Sequence, residues 1–168
     1  MKKKLRLTVL FLLLSVSSMN AQKGFRVEAN IGPTLGDSRE YYSFTLQGSL
    51  FYLWEASENI NIGVTTGGLV FLGDNQKEED FIFVTYEPNV YIPLAIVGRV
   101  NLSKAFSIGL DTGYAFLVHI YDNGGGFYFR PVITYNLKEK LAFIGSYGSI
   151  IENGYTASTI NLGVNIGF

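Results

Sequence analysis

The chain has 168 residues, a length for one domain; 48% of them are hydrophobic, 15% aromatic and only 16% charged, with a formal net charge of −1. Soluble domains carry about a quarter of their residues as Asp, Glu, Lys or Arg, so this chain is short of surface charge, and its apolar content excludes disorder. The absence of cysteine excludes disulfides, thiolate metal sites, cysteine nucleophiles and a lipid-modified N-terminal cysteine, and the single histidine offers little to a metal.

Residues 1–6 carry Lys2, Lys3, Lys4 and Arg6; an apolar run follows over 7–16, then small or polar residues to Ala21. This is the pattern of a secretory signal peptide, its apolar core being too short for a spanning helix, which needs about 20 residues. Cleavage after Ala21 would leave one domain, 22–168, with nine bases against fourteen acids. A mildly acidic exported chain has no electrostatic footprint for nucleic acid.

The mature chain reads in steps of two. Its segments 24–35, 42–54, 60–72, 81–102, 106–118, 127–137, 141–151 and 156–168 are expected to be strands. The alternation is clearest in the last, where Ile160, Leu162, Val164, Ile166 and Phe168 are separated by Asn161, Gly163, Asn165 and Gly167. The fourth segment is about twice the length of a membrane crossing, because residues 81–86 form an apolar stretch; it is expected to project beyond the membrane. Pro33, Pro88, Pro93 and Pro131 fall inside strands and are expected at bulges or mouths, since each lacks a ladder donor. In the seventh strand Ile144 and Ile150 occupy the inward face.

The connectors alternate as well. Those at 55–59, 103–105 and 138–140 are short and polar, whereas those at 36–41, 73–80, 119–126 and 152–155 are mostly longer and carry Gly, Asp and Asn turn chemistry. The polar positions of the strands are largely Gly, Asn, Ser, Thr and Gln, for example Asn30, Gly32 and Thr34, or Thr45, Gln47 and Ser49. Small neutral groups suit a crowded lumen, and eight strands leave an interior just wide enough for side chains to fill. Aromatics collect towards strand ends at Tyr42, Phe44, Tyr52, Trp54, Tyr114, Phe116, Phe127 and Tyr135, in the manner of interfacial girdles. The expected fold is all-β: an eight-stranded antiparallel up-and-down transmembrane β-barrel after a cleaved signal peptide. A soluble periplasmic lipocalin-like ligand-binding barrel is the alternative, and would need a solvated Lys- and Glu-rich outer face.

Three stretches carry a family resemblance: Tyr91-Ile92-Pro93-Leu94 with the turn Leu102-Ser103-Lys104, the segment Gly109-Leu110-Asp111-Thr112-Gly113-Tyr114, and the final strand ending on Phe168. On these the chain resembles the small outer-membrane β-barrel domain proteins of the OmpA/OmpX-like class. The resemblance implies a bacterial outer-membrane address and recognition of the last strand, through Phe168, by the barrel assembly machinery. It implies no activity.

The inward charges are Arg26, Glu28, Arg99, Asp111 and Arg130, with Glu87 added if the long fourth strand keeps its register. Charges in a narrow low-dielectric lumen must be paired. Asp111 and Arg130 are expected to meet across neighbouring strands, with Arg99, Glu28 and Arg26 forming a second tier. His119 invites comparison with barrel hydrolases, but Ile120, Tyr121 and Asp122 beside it form no catalytic signature. The acidic loop at 77–80 and the loop at 122–126 lack the full run of oxygen ligands of a dedicated calcium loop. The sequence therefore predicts a non-enzymatic protein with a side-chain-filled lumen, without cofactor, metal or catalytic residues, acting through exposed loops or envelope contacts. Its expected partners are outer-membrane lipid and lipopolysaccharide, the assembly machinery and no nucleic acid, and it is expected to be a monomer. The alternative function is a barrel-wall lipid A acyl hydrolase or transferase.

Overall fold

A computed structural model describes residues 24–73, 75–77, 83–85, 87–118 and 124–168. The strands are β1 (Phe25–Gly36), β2 (Tyr42–Ser57), β3 (Ile60–Gly73), β4 (Asn75–Lys77), β5 (Phe83–Thr85), β6 (Asn89–Asn101), β7 (Phe106–Leu117), β8 (Gly125–Lys138), β9 (Leu141–Glu152) and β10 (Tyr155–Gly167). A short 3-10 turn, Asp37–Glu40, links β1 to β2. Eight strands close a barrel in the order β1, β2, β3, β6, β7, β8, β9, β10 and back to β1, each neighbour antiparallel. Closure leaves the barrel itself without a free ladder edge, the condition for spanning a bilayer with strands.

The side chains sort by parity, as period two demands. Leu162 is 69% exposed and Ile96 66%, and Ile31, Leu94, Ile133 and Phe143 also point outward, while Asn161, Thr45, Glu28 and Asp111 are buried inside. A soluble barrel has the reverse arrangement. Aromatic pairs mark the ends of the apolar band: Tyr52 with Trp54 and Phe106 with Tyr135 near one rim, each at 4.9 Å between centroids, and Tyr114 with Phe116 at 5.0 Å near the other. The first rim holds the tight turns; the second holds the longer connections and the two-residue turn Asn153-Gly154, whose positive φ values of 48° and 88° suit a type I′ hairpin.

The structure departs from the sequence reading at three places. The long fourth strand is not continuous: among the described residues β4 and β5 pair with each other and with no strand of the barrel, and β6 begins at Asn89 after an exposed Glu87-Pro88. Glu87 therefore lies outside the lumen. Tyr42, expected in an outer girdle, turns inward, because a register shift between Tyr42 and Phe44 inserts a bulge that reverses the parity; its ring packs edge-on against Phe71 at 5.9 Å. Of the four prolines, Pro88 lies outside the strands, and the other three sit within them where the ladder is interrupted on one side: Pro33 towards β10, Pro93 towards β3 and Pro131 towards β9. Each missing donor faces a gap in pairing and not a mouth. Ile144 and Ile150 face inward. The signal peptide at 1–21, His119, residues 78–82 and Asp122-Asn123 lie outside the described residues.

Candidate functional site

The interior is layered. Below the loose rim, Leu69, Phe71, Tyr91, Tyr128 and Ile150 pack with Ala95, Ala115 and Ala157, and Tyr42 and Leu117 close over them. Phe71 and Tyr91 meet edge-on at 5.8 Å. The parity of β3, β6 and β8, extended outward from Thr65, Arg99 and Arg130, places Phe71, Tyr91 and Tyr128 inside. The sequence thus holds the signal for this layer in the parity of its strands.

Beneath it lies a chain of charges. Arg130, wholly buried, donates from Nη1 to Asp111 Oδ2 at 3.1 Å on the directly opposite position of β7. Its Nη2 pairs with Glu28 on β1, across the lumen, and its Nε donates to Ser146 Oγ at 3.1 Å. Asp111 Oδ1 takes Arg99 Nη1 at 2.5 Å, and the Arg99 guanidinium also sits 5.8 Å from the Phe51 ring centroid. Glu28 further accepts from Asn30 Nδ2 at 2.7 Å and from Asn165 Nδ2 at 3.4 Å. The order Arg99, Asp111, Arg130, Glu28 alternates in sign and sums to zero. The expected division into an Asp111–Arg130 pair and a separate lower tier gives way to one connected chain. Glu28 belongs to Arg130, because a barrel this narrow lets a guanidinium span it.

Arg26 stands apart. It is half-buried on β1, and its Nη1 donates to Asn165 Oδ1 at 3.1 Å. Below it a cavity of about 670 Å³ opens between the tight turns, lined by Arg26, Arg99, Asn61, Asn101, Thr134 and Asn136 among others. Neutral hydrogen bonds stitch the remaining wall: Gln47 donates to Tyr128 Oη at 3.0 Å, and the Thr45 and Thr159 hydroxyls lie 2.6 Å apart beside Asn161. Among the described residues no three His, Cys, Asp or Glu side chains gather into a metal site. Phe168 is exposed beside Phe25 at the tight rim, 6.3 Å between ring centroids, and its backbone N–H donates to the Phe25 carbonyl.

Comparison with known proteins agrees with this architecture. A family model described as the outer membrane protein beta-barrel domain matches residues 7–168. No curated protein sequence matches the chain. Among solved structures, the crystal structure of Ail, the attachment invasion locus protein of Yersinia pestis, superposes with a TM-score of 0.55 at 12% identity, covering 86% of this chain and 97% of that one. The same protein in a phospholipid bilayer nanodisc gives 0.58 at 12% identity, covering 86% and 99%. The N-terminal β-barrel domain of Pseudomonas aeruginosa OprF gives 0.55 at 12% identity, covering 88% and 98%. At these identities the likeness speaks for the fold.

Proposed function

The chain belongs to the outer membrane protein beta-barrel domain family and is an integral protein of the bacterial outer membrane, and we propose that within it the protein is a closed, non-enzymatic barrel acting through its loose-rim loops and envelope contacts. The observation that carries this reading is the stack of the aromatic layer on the Arg130 charge chain, two adjoining layers of lumen side chains that are almost wholly buried. Outer-membrane barrels keep their short turns in the periplasm, so the tight rim and its cavity face that compartment. Reconstituted protein in planar bilayers should give no steady conductance; a large, stable conductance would overturn the closed reading and make a pore the leading function. Mass analysis of lipid A should be the same with and without the gene, and a change in its acyl chains would instead support the hydrolase or transferase.

The proposed partners are outer-membrane lipid, lipopolysaccharide and, during biogenesis, the assembly machinery, with a monomer as the working unit. Phe168 contributes one exposed ring at the periplasmic rim, so its role there is recognition more than stability. Deleting it should lower the amount assembled in cells far more than it lowers urea resistance after refolding in detergent. Equal losses in both assays would count against recognition.

A further inference from the structure

We propose that the periplasmic cavity is a binding site for a small organic anion, whose carboxylate or phosphate group pairs with Arg26. The charge inventory of the lumen motivates this. Arg99, Asp111, Arg130 and Glu28 neutralise one another in an unbroken chain, and Glu87, which would have supplied a third acid, is exposed outside the barrel. One positive charge is left over. Among the described residues no carboxylate ion-pairs with Arg26, whose guanidinium donates to the neutral Asn165 amide oxygen. Of the charges lining the cavity, Arg99 and Glu28 are the two ends of that neutral chain, and Lys104 and Lys138 cancel Glu58 and Glu139, so the surplus belongs to Arg26.

The surroundings favour an anion with an organic body. Asn61, Asn101 and Asn136 bring amide groups, and Ser107 and Thr134 bring hydroxyls, all able to donate to carboxylate or phosphate oxygens. A guanidinium presents paired donors matched to either group. Phe51, Leu53 and Ile144 add apolar wall, and about 670 Å³ falls in the range of small-molecule sites. Access is from the periplasm between the tight turns, so the site is independent of whether the lumen above is sealed.

The test uses the full barrel refolded in an uncharged detergent. Succinate and glycerol phosphate are titrated at constant ionic strength against a chloride background, by calorimetry and by amide chemical shifts. Saturable binding is expected, with shifts centred on Arg26, Asn61 and Asn165; the tighter of the two probes identifies carboxylate or phosphate as the natural group. Arg26→Gln should weaken binding by about tenfold or more, Arg26→Lys by less, and the rim change Lys138→Gln by less than about twofold. Absence of saturable binding by the wild type, shifts centred elsewhere, or equal binding by Arg26→Gln would each overturn the proposal. Should Arg26→Gln fail to refold, the wild-type shift map decides alone.

Discussion

Replacing Arg130 with methionine should be the most damaging single change to the charge chain. The guanidinium holds two carboxylates at once, and both are almost wholly buried, Asp111 at 0% and Glu28 at 2% exposure. Asp111 keeps Arg99, but Glu28 is left with only the Asn30 and Asn165 amides. Breaking one buried pair costs about 3 to 5 kcal/mol, and the loss here should reach the top of that range or prevent refolding. Urea titration of the barrel refolded in detergent, read by Trp54, the single tryptophan, measures it.

Double changes separate a pair from a chain. If Asp111 and Arg130 were an isolated pair, replacing both with leucine would be nearly neutral. In the chain, that double change strands Arg99 at one end and Glu28 at the other, so its cost should stay close to that of Arg130→Met. Removing the end pair instead, with Arg99→Met and Asp111→Leu, leaves Arg130 on Glu28 and should be clearly milder. A double leucine variant as stable as the wild type would show that Glu28 and Arg99 do not depend on Arg130 and Asp111.

This network also marks the limit of what the sequence can disclose. Facing is legible because a strand has only two faces: once Asn161 and Gly163 are recognised as the small-residue side, parity assigns Glu28, Arg99, Asp111 and Arg130 to the lumen. The Asp111–Arg130 opposition is legible too, since both positions can be counted from the same tight rim. Contact between Arg130 and Glu28 is not, because β8 and β1 share no ladder and their relative height depends on the stagger accumulated through β9 and β10. Parity itself fails where the count is broken. The bulge beside Tyr42 leaves no compositional trace, and the interruption at Glu87-Pro88 is hidden by the apolar run that precedes it.

Gly163→Val should abolish closure, whereas Gly48→Ala should be tolerated, although both glycines sit in alternating strands and look alike in the sequence. Gly163 faces inward on β10 opposite Asn30 of β1, at the seam that joins the first strand to the last. A side chain there would collide with the Ala29 carbonyl oxygen, a backbone atom that cannot retreat without opening the seam, and with the Asn30 amide, whose Cγ would lie 2.7 Å away. Asn30 is in turn held by its bond to Glu28, so relief on that side would disturb the charge chain. Gly48 faces outward on β2, with nothing within 4 Å of an added methyl group, and exchange for alanine should stabilise the strand by about 0.5 to 1 kcal/mol through reduced backbone entropy. The loss for Gly163→Val should exceed about 4 kcal/mol, above the roughly 1 to 3 kcal/mol usual for an overpacked core, because one of the colliding atoms is backbone. Heat-modifiable mobility on electrophoresis gives the folded fraction of each variant. A fully folded Gly163→Val barrel would mean that β1 and β10 do not approach as closely as the seam requires, and the inward position of Glu28 beside it would have to be redrawn.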